Sequence, residues 1–211
     1  MNLTDNVTTL GYRAFSRAKN VIDIKLSNKL TSIEESVFEY CGTLKNVSNW
    51  DNITSIENYA FFQCGGLTNV VIPDNVTYIG DHAFESCTNI RSVIFNEKLE
   101  TIGEFAFAYD LKIATIDFSK CNSLETIDKY AFIDNAACTE INIPEGVKYL
   151  NEGVFFHSSR LKIVNLPSTL EYVGFQCFVS ADSMLKEYNV AENGEYFTSK
   201  DNNNTKKNKI N

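Results

Sequence analysis

No apolar run in this sequence approaches the roughly 18 residues needed to cross a bilayer, so membrane insertion is not expected. The first ten residues, MNLTDNVTTL, have neither the basic start nor the apolar stretch of a secretory signal. On the residues alone, the chain is either intracellular or one from which a signal has been removed. Clustered lysine and arginine are scarce. With a net charge of −8 and a pI near 4.8, nucleic acid is a poor fit as partner, because phosphate binding relies on basic patches. The one basic stretch is terminal: Lys200, Lys206, Lys207 and Lys209 against Asp201 give residues 200–211 a net +3, leaving −11 for the rest. Asn-rich and without aromatics, it reads as a solvated, disordered end.

Catalytic and metal-binding patterns are missing as well. There are two histidines, His82 and His157, with no recurring Ser, Cys or Asp beside them to form a nucleophile–base pair. None of the six cysteines falls in the C-x2–4-C spacing that zinc favours. Glycines 11, 80, 103 and 174 mark turns and do not form a phosphate-cradling loop. The chain is expected to be no enzyme, with no cofactor and no metal.

What is present is a repeat. Phenylalanine occurs at 15, 38, 61, 84, 107, 132, 155 and 178, in steps of 23 broken once by a step of 25. Five residues before each Phe stand Leu10, Ile33, Ile56, Ile79, Ile102, Ile127, Leu150 and Val173. Six and nine residues after it lie further apolar columns, such as Leu44, Leu67 and Ile90, then Val47, Val70 and Val93. In the eighth unit the register slips by one, giving Leu185, Tyr188 and Val190. The two extra residues of the long step fall in FSKCNSLETI (118–127) and are expected to bulge at a turn.

The spacing of each unit predicts its shape. Positions −5, −1, 0 and +3 relative to the Phe share one face of a short helix, whereas a strand would send adjacent Ala and Phe to opposite sides. Positions +8 to +11 alternate with period two and predict short parallel strands near 21–26, 44–49, 67–72, 90–95, 113–118, 138–143 and 161–166. Pro73, Pro144 and Pro167 end three of them. One unit cannot bury its own apolar face, but a stack can. The expected fold is an α/β solenoid: a right-handed leucine-rich-repeat superhelix of about eight 23-residue coils. It has a parallel sheet on the concave face, short helical turns on the convex face, and all eight phenylalanines buried. Residues 1–190 form this array, and 191–211 a C-terminal segment with a disordered Asn/Lys-rich tail.

The consensus I-x4-A-F-x2-C-x2-L-x2-V-x-I-P-x2-V-x2-I is clearest over Ile56–Ile79 and Ile79–Ile102. It resembles the BspA-like leucine-rich repeats of surface proteins from bacteria and some parasitic protists, over residues 3 to about 190. The resemblance implies a non-enzymatic adhesion or host-binding protein at the cell surface or secreted, although no signal or anchor is written in these residues. The stretch NVAENGEYFTSKDN (189–202) resembles the segment on the C-terminal side of such arrays.

Two features could carry function. Cys41, Cys64 and Cys87 each lie three residues after a Phe, in a column completed by Ala18, Asp110, Asn135, Ser158 and Ala181. The mix of small residues points to inward packing and reduced thiols, not to a metal or redox site. Cys138 and Cys177 replace core residues, and Cys121 lies in the insertion. The second feature is the outward strand surface, which is polar and Asn-rich with one apolar pair at its centre. Val71 and Ile94, surrounded by Asn46, Asn69, Ser92, Thr115, Asp117 and Asn142, form the expected contact surface for a protein or glycan ligand. Tyr78, Tyr149 and Tyr172 form an alternative face, on which Tyr149 and Tyr172 could stack. Apart from binding, the chain reads as a structural spacer within a longer repeat array.

Overall fold

A computed structural model describes residues 1–179 in full, and beyond them the backbone of three short strands. The chain winds as a parallel-strand solenoid of about seven turns. Each coil contributes one short strand, where the period-two pattern predicted it. These are β1 (Asp23–Lys25), β3 (Asn46–Ser48), β5 (Asn69–Val71), β7 (Ser92–Ile94), β9 (Thr115–Asp117), β11 (Glu140–Asn142) and the slightly longer β13 (Ile163–Leu166). The middle residue of each three-residue strand faces the core and its neighbours face out. A further strand, β15 (Glu187–Val190), pairs Tyr188 with Val164 and Val190 with Leu166, as the one-residue slip requires. Leu185 lies outside the described residues.

The helical expectation is overturned. No helix occurs among the described residues, and the arc around each Phe is a run of tight turns. In an α-helix every N–H would bond four residues back within its own coil. Here the amides alternate. In the third coil the N–H groups of Ala60, Phe62 and Cys64 reach back three residues, to the carbonyls of Glu57, Tyr59 and Phe61 (3.1, 3.1 and 3.0 Å). Those of Tyr59, Phe61 and Gln63 instead donate to Asp81, Ala83 and Glu85 of the next coil (2.9, 2.7 and 2.8 Å). The alternation needs a left-handed residue two before and two after every Phe. Every described residue in these two columns has φ between 54° and 62°, from Arg13 and Arg17 to His157 and Gln176, and only Gly153 among them is glycine. Left-handed non-glycine backbone costs roughly 1 kcal/mol or more per residue. The inter-coil hydrogen bonds and the buried rings offset that cost.

The −5 column, expected on a helix, instead forms a second sheet of two-residue strands. These are β2 (Ser32–Ile33), β4 (Ser55–Ile56), β6 (Tyr78–Ile79), β8 (Thr101–Ile102), β10 (Thr126–Ile127), β12 (Tyr149–Leu150) and β14 (Tyr172–Val173). All seven pair in one continuous parallel ladder. Between the two strand columns and the turns runs a spine of stacked phenylalanine rings, with centroids 5.0–5.6 Å apart and planes within 15°. Each buried ring contributes about 1.5–3 kcal/mol of transfer free energy. Seven of the eight are buried. Phe15 is only half-buried, because it has a ring neighbour, Phe38, on one side alone.

The strands of the first column do not form one sheet. They pair as β1–β3, β5–β7–β9 and β11–β13–β15, with breaks between β3 and β5 and between β9 and β11. The second break falls after the coil that carries the two-residue insertion. The first has no change of repeat length beside it. Most of the expected tail, 191–211, lies outside the described residues. Within it, β16 (Tyr196–Thr198) and β17 (Thr205–Lys207) pair antiparallel.

Candidate binding surface

Of the residues expected to form the contact surface, Asn69, Val71, Ser92, Ile94, Thr115 and Asp117 share the β5–β7–β9 sheet. Val71 and Ile94 are register partners. Both point away from the core; Val71 is 55% exposed, and Ile94 is partly covered. Asn46 and Asn142 belong to the flanking sheets, across the two breaks. Several polar members are already engaged within the solenoid. Ser92 Oγ donates to Asn69 Oδ1 (2.8 Å), Asn46 Nδ2 to Asp23 Oδ1 (2.5 Å), and Asn165 Nδ2 to Asn142 Oδ1. The Asp117 carboxylate accepts the N–H of Ser119 at 2.8 Å, and hydrogen bonds from Ser119 hold its pKa below the usual carboxylate value. The surface is therefore an apolar pair framed by a pre-ordered polar lattice.

The cysteine column turns inward, as its small residues imply. The thiols of Cys41, Cys64 and Cys87 donate to the carbonyls of Phe15, Phe38 and Phe61 in the preceding coil, at 2.9, 3.0 and 3.1 Å. Burial pushes every cysteine thiol up, Cys121 and Cys177 to about 12. The thiolate that metal binding or nucleophilic attack would need is thus scarce near neutrality. Among the described residues no group of three His, Cys, Asp or Glu side chains is placed to hold a metal ion.

The turn face holds a feature that the column reading missed. Tyr59, His82, Phe105 and Tyr130, each two residues before its Phe, stack ring on ring at 4.5, 5.2 and 5.1 Å. His82 is thus no isolated surface side chain, and its Nδ1 also meets Glu85 Oε2. At one end of the stack lies buried Ser36. At the other, Gly153 leaves no room for a side chain: a Cβ there would lie 2.2 Å from Tyr130 Cε1. With the ring faces used against each other, the stack is chiefly a structural ladder. The alternative tyrosine face is also changed. Tyr149 and Tyr172 are register partners, but their rings make no stacking contact, and Tyr149 turns its hydroxyl to Glu171 (3.3 Å).

A second missed feature adjoins Val71. Where β3 and β5 part, a cleft of about 220 Å³ opens, lined by Lys45, Asn46, Val47, Trp50, Asn69 and Val71 above a floor of core side chains. The signal was present in the columns. Eleven residues after the Phe, six coils place Leu26, Ile72, Phe95, Phe118, Ile143 and Leu166, and the second coil places Asn49. Trp50, the only tryptophan, then stands where Pro73, Pro144 and Pro167 stand in other coils.

Comparison with known proteins also finds a leucine-rich repeat array. The profile of the BspA-type leucine-rich repeat region matches residues 1–77 and 54–186, in six copies. The chain belongs to the BspA-type leucine-rich repeat family. Among solved structures, this BspA-type array is similar to a leucine-rich repeat protein from Eubacterium ventriosum, with a TM-score of 0.71 and 17% identity over 92% of the chain and 62% of that protein. It is also similar to a leucine-rich repeat protein of T. pallidum, with a TM-score of 0.57 and 20% identity over 89% of the chain and 72% of that protein. A leucine-rich repeat protein from Bacteroides ovatus matches at 20% identity and a TM-score of 0.47, over 90% of the chain and 66% of its own length. The chain thus spans about two thirds of these proteins. No curated protein sequence matches it.

Proposed function

We propose that the chain is a non-catalytic binding module of adhesion type. It presents the outer face of its three-residue strands to a protein or glycan, such as one on a host or neighbouring-cell surface. The observation that carries this reading is the pair Val71 and Ile94. They lie side by side in register, Val71 is more than half exposed, and equivalent positions elsewhere hold Lys25, Ser48, Asp117, Asn142 and Asn165. Strand propensity alone spans about 1 kcal/mol and would not confine aliphatics to two adjacent coils. A dry centre inside a polar rim is where interface energy concentrates. Membership of a repeat family that includes bacterial proteins supports the reading at the level of class, and the acidic balance speaks against nucleic acid.

The test is capture of a partner from host or neighbouring cells by the full chain, with Val71→Asp plus Ile94→Asp as the second arm. That double variant should stay folded, since both side chains point outward, and should lose binding. Undiminished binding would reject the strand face and move attention to Tyr149 and Tyr172. A folded array that captures nothing would be the spacer.

A further inference from the structure

We infer that the cleft between β3 and β5 is an anchor pocket for a polypeptide. One bulky apolar side chain of the partner enters it, the partner's main chain bonds the rim, and an acidic residue beside the anchor meets Lys45. The inference rests on the strand-face reading and specifies its ligand.

The cleft is not a by-product of repeat length, because both neighbouring steps are 23 residues. It stems from one local change. Asn49 occupies a position that the other coils fill with an inward aliphatic or Phe. It takes a left-handed backbone (φ 62°), and its side-chain amide bonds the Leu26 carbonyl at 2.7 Å. Trp50 partly replaces the missing core residue, edge-on to Phe61 at 6.4 Å and 85°. The strand ladder parts beside it. Elsewhere the corresponding bonds are made: Lys45 N–H donates to the Ile22 carbonyl and Arg91 N–H to the Thr68 carbonyl, each at 2.7 Å. Across the cleft, Thr68 N–H and the Lys45 carbonyl have no partner among the described residues.

That pair of groups selects the ligand class. A peptide unit carries one donor and one acceptor, which complements the Lys45 carbonyl on one side of the cleft and, on the other, the Thr68 N–H between the lining residues Leu67 and Asn69. Sheet edges with such groups are where extended peptides bind, with side-chain pockets supplying specificity. The accessible apolar part of the lining, Val47, Trp50 and Val71, suits a side chain, and Asn46 and Asn69 beside it suit the amides of a main chain. Lys45 is the one charged residue of the lining, in a chain of net charge −8. A neighbouring Asp or Glu on the partner would therefore be favoured locally. The break between β9 and β11 shows the contrast. It coincides with the insertion, its lining includes Asp117 and Glu145, and Asp117 is already occupied by Ser119.

Trp50 is the only tryptophan, so its fluorescence reports on the cleft directly. The experiment selects a random heptapeptide display library on the full chain and titrates acetyl-Ser-Asp-Leu-Asp-Ser-amide against Trp50 emission. The expected result is enrichment of a bulky apolar residue flanked by Asp or Glu, together with a saturable shift of emission. The shift should weaken at least tenfold when the peptide's Leu becomes Ala, or in the Lys45→Glu chain, whose exposed position should leave folding intact. Selection on Lys45→Glu should favour Lys or Arg flanks instead. Peptides that lose binding in Val71→Asp with Ile94→Asp but bind Lys45→Glu unchanged would reject the cleft and keep the strand face. Trp50 emission that responds to maltotriose or chitotriose and to no peptide would overturn the inference in favour of a glycan. No response to any probe and no enrichment would reject both.

Discussion

Replacing Asp110 by Asn should stabilise the solenoid, and more so as pH rises. Asp110 occupies the inward column of the cysteines, is fully buried, and neither of its carboxylate oxygens has a hydrogen-bond partner. Its neighbours show what the position requires. Four side chains of the column donate to the Phe carbonyl of a preceding coil, the thiols of Cys41, Cys64 and Cys87 to Phe15, Phe38 and Phe61, and Asn135 Nδ2 to Phe107 at 2.9 Å. By the same register the carbonyl facing Asp110 is that of Phe84, so an ionised carboxylate there sets acceptor against acceptor. Burial raises the Asp110 pKa well above the ordinary carboxyl value; it outweighs the lowering effect of the nearby Cys87 backbone N–H, and the Glu85 charge adds a smaller push upward. Between those two values the native state holds a proton that the unfolded chain has released. Stability contributed by this group is therefore complete at low pH and is lost as pH rises, by up to about 1.4 kcal/mol per pH unit. Asn keeps the shape, carries no charge and supplies the donor. An unpartnered buried acceptor costs about 1–3 kcal/mol and a new hydrogen bond returns about 1, so Asp110→Asn should gain about 2 kcal/mol or more at pH 8. The gain should shrink toward pH 4. Urea melts of both chains from pH 4 to 8 measure this directly, and taking the difference cancels the opposite-signed contribution of Asp117. Parallel pH profiles, or a variant destabilised equally at every pH, would refute the reasoning.

The stack itself sets three further outcomes. Phe84→Ala should cost about 3–5 kcal/mol and Phe15→Ala clearly less, because Phe15 is half-buried with one ring neighbour; equal losses in denaturant melts would contradict nearest-neighbour stacking. Cys64→Ser should change stability by no more than about 1.5 kcal/mol, since a hydroxyl can donate to the Phe38 carbonyl as the thiol does, and zinc found in the purified protein by elemental analysis would overturn the packing role. Gly153→Ala should cost more than a surface substitution, about 1–3 kcal/mol, because the residue is left-handed (φ 62°) and the new methyl would meet the Tyr130 ring. Trypsin resistance and melts of Gly153→Ala beside Tyr130→Ala with Gly153→Ala separate backbone strain from the ring clash, as only the latter is relieved in the double variant.

The strands of the first column were legible because their period of two survives in every coil, and the inward column of Cys, Asp, Asn and Ser was legible because only small side chains recur there. The helix was misread for a physical reason. Adjacent buried residues such as Ala60 and Phe61 exclude an extended strand, and a helix is the usual alternative. A chain of turns with alternating right- and left-handed residues meets the same condition. Left-handed backbone normally announces itself through Gly, Asn or Asp, whereas here the columns hold mostly Arg, Ser, Tyr, His, Phe and Gln. What selects that backbone is the set of hydrogen bonds to the next coil, a non-local term that no single unit displays. The binding surface divides in the same way. Val71 and Ile94 stand out in sequence because an outward column is otherwise polar. The cleft beside Val71 leaves a fainter trace, because it arises from a missing ladder pairing. Its sequence trace is the single exchange that places Asn49 and Trp50 where Ile72 and Pro73 stand one coil later. In a repeat, packing dictates the shared columns, so the residues that depart from them carry the information about what this array does differently. Asn49 and Trp50 open a cleft at the edge of the apolar Val71–Ile94 pair on the strand face, whereas the break that coincides with the two-residue insertion after β9 has a cleft with acidic residues in its lining. That coincidence of a departure from the repeat with an exposed apolar pair is why β3, β5 and β7, ahead of the rest of the surface, are the place to look for a partner.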